Sequence, residues 1–241
     1  MKFLLILALF ISFPSWAKVV LIDPGHGGEE SGAVGHLDGK KMRKVFEKDL
    51  SLRLSKKIKE ELAKKTTTYL TRSMDRFVSL QERADLADLV KADLFLSIHF
   101  NSSTNAKSNG FELYYLDNNS NAANAKVEKT ENLIYKGSGE ELIVNQILID
   151  LVVQQTVSHS RALARKVHEK IKPILKTHKI SDRGIKPGLF YVLALSKRPG
   201  LLVEVGFVSN PSELQKVNED KFLTEMAKAI SVGVMEFIQT K

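Results

Sequence analysis

Four polar side chains in this sequence fall where strand-like or helix-like runs begin or end, and their types are those of metal-assisted hydrolysis. His26 stands in Asp23-Pro24-Gly25-His26-Gly27-Gly28, directly after the β-branched run KVVLID. His99 closes Leu96-Ser97-Ile98-His99, Glu204 closes Leu202-Val203-Glu204, and Glu47 heads a helical stripe that starts near Phe46. In open α/β sheets, ligands bind beyond the carboxyl ends of strands, so these are the positions where chemistry is expected. Two imidazoles and a carboxylate converging there match a His2Glu zinc site, whose three protein ligands leave a fourth position for water. A further acidic group nearby then has the work of a base.

Taken singly, three of the four also fit plainer roles. His26 among glycines suits a turn, His99 in its apolar strand suits a core imidazole with a partner, and Glu47 suits the positive end of a helix. Glu204 is harder to place without function. It sits among Leu201, Leu202, Val203, Val205 and Phe207, where a carboxylate costs several kcal/mol unless paired, metal-bound or protonated. Of the other histidines, His36 could compete with His26 as a loop ligand, although no strand end positions it. His159 is not at a strand end either, and His168 and His178, in or beside a charged helix, are expected to be exposed. No GxGxxG follows the first strand, no phosphate loop ends in Lys-Ser or Lys-Thr, and there is no GxSxG elbow, so nucleotide and serine-nucleophile chemistry lack their signatures.

The elements that must carry these residues alternate. Strands are expected at 18–23, 66–71, 93–100, 110–116, 189–195 and 200–205 from their β-branched and aromatic content. Helices are expected from Phe46, where Phe46, Leu50, Leu54, Ile58 and Leu62 recur every fourth position, and at 80–91, 122–135, 156–175 and 220–238. The alternation predicts a single α/β domain: a mostly parallel twisted sheet flanked by helices on both faces, with an inserted element at about 117–155.

Composition narrows the chemistry further. The 241 residues contain no Cys, which removes disulfides, thiol nucleophiles and Cys-held metals and leaves His and carboxylate as metal ligands. The opening MKFLLILALFISFPSWA has one positive residue, Lys2, an apolar run and small residues at Ser15 and Ala17. It reads as a signal peptide over 1–17, too short for the roughly 20 residues of a spanning helix, and implies a periplasmic product of residues 18–241. The net charge of +8 favours polyanions; secretion and the lack of a nucleic-acid motif point to envelope polymer rather than nucleic acid. Lysines and arginines at 56–65 and 161–172 are interleaved with acids, as on solvated helix faces.

Six segments in order carry a resemblance: LIDPGHGG (21–28), Phe46 to Leu50, SIHFN (97–101), GFELYYL (110–116), RGIKPGLFYVL (183–193) and LLVEVGFVSNPSE (201–213). Together they resemble the zinc-dependent N-acetylmuramoyl-L-alanine amidases of bacterial cell-wall turnover. The resemblance implies Zn2+ on His26, Glu47 and His99, with Glu204 as catalytic carboxylate. It also implies cleavage of the amide between N-acetylmuramic acid and the L-alanine of the stem peptide, in wall remodelling or daughter-cell separation. Asp23 is a candidate to orient a ligating imidazole. In some cell-division members a helix lies across the cleft until an activator protein displaces it, and Thr130-Glu131-Asn132-Leu133-Ile134 resembles that helix, which makes Glu131 the expected autoinhibitory residue. The expected partners are peptidoglycan and such an activator, with the chain itself a monomer and no membrane span. Another wall-directed zinc deacetylase or peptidase, or a non-catalytic wall-binding relative, is the alternative.

Overall fold

The computed structural model describes residues 18–37, 43–118, 131–132 and 139–240. The expected signal peptide and most of the expected 122–135 helix lie outside the described residues. The first strand, β1 (Val19–Pro24), pairs in parallel with β4 (Thr67–Leu70) on one side and β5 (Leu94–Asn101) on the other. β5 pairs in parallel with β8 (Gly200–Phe207), β8 pairs antiparallel with β6 (Phe111–Leu116), and β6 pairs in parallel with β7 (Asp182–Gly188). The order is therefore β4-β1-β5-β8-β6-β7, with one antiparallel junction. β2 (Val34–Leu37) and β3 (Arg43–Phe46) form a separate antiparallel pair.

Side chains alternate across this sheet, so it has two cores. Val20, Ile22, Leu96, Val203 and Val205 face α1 (Glu47–Leu62), the later turns of α3 (Gly139–His178) and α6 (Asp220–Gln239). The stripe Leu50, Leu54, Ile58, Leu62 is wholly buried there. Leu21, Phe95, Leu202 and Tyr114 face α2 (Leu80–Leu89) and α4 (Tyr191–Ser196). The long α3 serves both cores, with Ile149 and Val152 in the second and Leu163, Val167 and Ile171 in the first. It runs unbroken through position 155, so residues 139–155 and the helix expected at 156–175 are one element. Ser79 opens α2 with a capping box: its hydroxyl accepts from Glu82 N–H while Glu82 accepts from Ser79 N–H at 2.7 Å.

Several expectations are corrected. The strand expected at 189–195 is the helix α4. Phe190, Tyr191 and Val192 favour strand locally, but β7 already occupies the sheet edge, and the segment instead turns Val192, Leu193 and Ala194 into the second core. β7 is not among the expected strands; it contains Gly184, Pro187 and Gly188, and an edge strand tolerates the missing Pro187 donor. The turn expected at Ser209-Asn210-Pro211 opens a short helix, α5 (Pro211–Val217), where Asn210 Oδ1 accepts from Ser212 and Glu213 N–H at 3.1 Å. His168 and His178 are not exposed. His168 Nε2 lies 2.7 Å from Asp182 and its ring stacks on Phe111, while His178 Nε2 lies 2.7 Å from Glu225 beside Phe222. His36, expected in a loop, is on an exposed face of β2.

Candidate active site

The carboxyl ends of β1, β5 and β8 meet at one rim, and α1 begins there. His99 pairs in register with Glu204, and Glu204 with Glu112 on β6, so three adjacent strands carry a row of polar residues on the face opposite Val203 and Val205. His26 is delivered by the turn after β1, in a left-handed conformation with φ of 57°. Two buried arginines brace that turn. Arg72 donates to the carbonyls of Pro24 (3.0 Å) and Gly25 (2.7 Å), and Arg83 donates to those of Pro24 (3.0 Å) and His26 (3.1 Å). Asp23 does not reach an imidazole. It accepts from Thr71 Oγ1 (2.6 Å) and Ser97 Oγ (2.9 Å) and pairs with Arg83, and so anchors the arginine that holds the His26 turn.

Glu47 is the first residue of α1, and its carboxylate is held by two backbone donors: Phe100 N–H to Oε1 (2.9 Å) and Ala33 N–H to Oε2 (2.8 Å). Oε1 then lies 3.1 Å from His99 Nδ1 and Oε2 lies 3.2 Å from His26 Nε2. Glu131 Oε2 completes the cluster at 2.9 Å from His99 Nδ1 and 3.7 Å from His26 Nε2. Asn132 fixes that placement by donating to Leu189 O (2.6 Å) and accepting from Tyr191 N–H (2.9 Å) at the start of α4. The four donor atoms lie within 4.8 Å of one another. Tetrahedral ligands at zinc bond lengths of about 2.0–2.2 Å stand about 3.3 Å apart, which these spacings approximate.

Among the described residues, two buried atoms at the rim have no hydrogen bond: His26 Nε2, which lies 3.2 Å from Glu47 Oε2, and Glu204 Oε2. Electrostatics explain what they await. Burial pulls His26 and His99 down, but the charges of Glu47 and Glu131 outweigh it, raising His26 and raising His99 well above the usual imidazole range. Burial pushes Glu47 up, and the imidazole charges with the His99 contact reverse this to hold it below the carboxylate range. Burial and the neighbouring Glu131 charge push Glu204 well above that range. Imidazole and carboxylate donors gathered out of water, with the carboxylates offsetting the imidazole charges, form a donor set that binds a divalent cation as the imidazoles release their protons.

Glycine creates the space. A Cβ on Gly25 would stand 2.4–2.7 Å from the His99 ring, and one on Gly32, whose φ is 62°, would stand 2.5 Å from both Glu47 Oε2 and His26 Cδ2. A cavity of about 420 Å³ opens from His26, Glu47 and Glu131 along Asn101 and Phe207 to Glu112 and Arg183. Glu112, Arg72 and Arg83 were not singled out by sequence reasoning. Glu112 carries the same signal as Glu204, a carboxylate inside an apolar strand, whereas nothing local marks the two arginines.

The sequence resemblance extends to known proteins. Residues 20–236 match the family model for N-acetylmuramoyl-L-alanine amidase. The chain is 34% identical over 228 residues to the N-acetylmuramoyl-L-alanine amidase AmiA of Escherichia coli K12, covering 91% of this chain and 76% of that protein. Among solved structures, it superposes on the catalytic domain of the amidase CwlV from Paenibacillus polymyxa with a TM-score of 0.68 at 31% identity, covering 93% of this chain and 99% of that one. An N-acetylmuramoyl-L-alanine amidase from Clostridium difficile 630 gives a TM-score of 0.69 at 31% identity, covering 94% and 100%. With matching fold and nearly full-length family coverage, the chain belongs to the N-acetylmuramoyl-L-alanine amidases.

Proposed function

We propose that this amidase works as a zinc enzyme with His26, Glu47 and His99 as ligands, Glu204 as acid and base, and Glu131 as a resident inhibitor of the same site. The observation that carries the reading is the convergence of His26, Glu47, His99 and Glu131 donor atoms within 4.8 Å beside an unpartnered, buried Glu204 oxygen. Zinc, when bound, supplies a Lewis acid that polarises the scissile carbonyl and brings the pKa of a bound water towards about 7.

The chain's own residues do the rest. The Phe100 and Ala33 amides hold Glu47 as a fixed anion, and Gly25 and Gly32 leave room for the His99 ring and for Glu47 beside His26. Glu204, with a pKa raised by its apolar surroundings, takes one proton from water at a carboxylate oxygen and returns it to the alanine nitrogen. The hydroxyl is left on the lactyl carbonyl carbon as the carbon–nitrogen bond breaks. Glu131, anchored through Asn132, occupies space between the two imidazoles that a substrate carbonyl would need. An activator protein that draws the 131–132 segment away would release the site.

The substrate is peptidoglycan, and the site of action is the periplasm, reached through a signal peptide at residues 1–17. Among the described residues no helix is long and apolar enough to cross a membrane, which is compatible with that reading. The test is to digest purified sacculi with zinc-loaded protein, chelator-treated protein and a zinc-loaded Glu131→Ala variant, and to identify the released fragments by mass. Zinc-dependent release of stem peptides beginning with L-alanine, faster for the variant, is the expected outcome. Equal release with and without metal would overturn the zinc reading, and equal rates for parent and variant would overturn inhibition by Glu131.

A further inference from the structure

The cavity that holds the metal-ligand candidates continues to Glu112 and Arg183, where the charge pattern is different. The Glu112 side chain is 2% exposed and shared among four donors. Its Oε1 accepts from Lys186 Nζ (2.9 Å) and is ion-paired with Arg183, and its Oε2 accepts from Tyr114 (2.6 Å) and Asn101 (3.2 Å). Arg183 and Lys186 face the Glu112 carboxylate, with Glu213 a further anion acting on Arg183, while the region around His26 has Glu47 and Glu131. Arg183 is the cation that lines the cavity. Its side chain is 41% exposed, its guanidinium lies over the Phe207 ring at 5.2 Å, and Nη1 donates to Asn109 O at 3.3 Å. Nη2 meets no partner among the described residues. A guanidinium held by an aromatic face and a buried carboxylate is a pre-organised fork for a second carboxylate.

Strand register sets the reach. His99, Glu204 and Glu112 are aligned on β5, β8 and β6, and two strand spacings of about 4.8 Å put Glu112 about 10 Å from His99. A peptide extending from the scissile bond advances about 3.5 Å per residue, so its second residue lies about 7 Å out, within reach of a side chain standing on Glu112. In a peptidoglycan stem that residue is a glutamate joined through its side-chain carboxyl, which leaves its α-carboxylate free. We infer that Arg183 is a specificity-determining residue that receives this α-carboxylate on the outer edge of its guanidinium; the inference rests on the amidase reading of the same cleft.

The test uses two muramoyl tripeptides that differ only in whether the second residue presents an α-carboxylate or an α-carboxamide. They are assayed with the full chain carrying Glu131→Ala, alone and with Arg183→Met or Arg183→Lys added. Arg183→Met is expected to raise KM for the carboxylate substrate by about tenfold or more, the scale of a lost charge-assisted hydrogen bond, while kcat and the carboxamide KM stay within about twofold. Arg183→Lys, which keeps charge without the fork, is expected to fall between. Lys186 remains on Glu112 in both variants, and melting curves report whether the fold is intact. Equal changes on both substrates, or none on either, would overturn the inference. If the parent hydrolyses neither substrate, the amidase reading fails, and calorimetry with the corresponding free tripeptides still decides the question. An Arg183-dependent preference for the carboxylate form supports the inference, and equal affinity for both forms overturns it.

Discussion

Glu204 and Glu112 show how environment divides one residue type into two roles. Both are buried carboxylates paired in register across β8 and β6, yet Glu112 has two cations, a phenol and an amide, whereas one oxygen of Glu204 has no hydrogen bond among the described residues. A native chain keeps an unsatisfied buried carboxylate at a cost of several kcal/mol only where function uses it. Replacing Glu204 with Gln is therefore expected to reduce hydrolysis by about 10²–10⁴-fold, the usual contribution of a positioned acid–base group. Metal content, measured by elemental analysis, and sacculus binding are expected to stay at parental levels, with a melting temperature no lower than the parent's. Retained hydrolysis in the variant would remove Glu204 from the mechanism. In sequence, both glutamates carry the same mark, and the difference between them lies wholly in partners contributed by β5, β6 and β7.

At the level of elements, Asp23 links four pieces of the chain at the rim. It ends β1, accepts from Thr71 after β4 and from Ser97 on β5, and pairs with Arg83 on α2. Burial pushes its carboxyl up, but the Arg83 charge and the Thr71 and Arg83 hydrogen bonds prevail and lower it below 3.8. A depressed carboxylate contributes stability that is fully present above its unfolded pKa and lost as pH falls through the folded one. Asp23→Asn is expected to destabilise the protein at neutral pH by about 3–5 kcal/mol, the cost of leaving a buried Arg unpaired. The gap in melting temperature between parent and variant should then narrow as pH drops below about 4; a gap independent of pH would show that the pair is not the cause. β1 and α1 were legible from the sequence because a β-branched run and a period-four apolar pattern are both local. β7 and α4 were not, since edge position and packing overrode the local preferences of Gly184, Pro187, Phe190 and Tyr191.

For the whole molecule, 36 Lys and Arg against 28 Asp and Glu leave a net charge of +8, whereas in the cleft the Glu47 and Glu131 carboxylates stand against the His26 and His99 imidazoles. General attraction to an anionic wall and recognition of the scissile bond are then separate terms. Binding to sacculi is expected to weaken steeply between low salt and about 0.5 M salt as the Debye length shortens from about 10 Å at 0.1 M towards about 3 Å at 1 M, while the released fragments keep the same masses. Salt-independent retention in a pelleting assay would assign wall affinity to the cleft instead. The sequence by itself determined the α/β class, the alternation of strands and helices, and the strand-end positions of His26, His99 and Glu204, because each is written in the spacing of neighbouring residues. Only the tertiary structure decided that β8 lies between β5 and β6 and so sets Glu204 between His99 and Glu112. Likewise, it alone decided that Arg72 and Arg83 brace the His26 turn, that α3 serves both cores, and that Asn132 seats Glu131 against the imidazoles. Those outcomes depend on contacts between residues far apart in the chain, and no local pattern encodes which distant groups will meet.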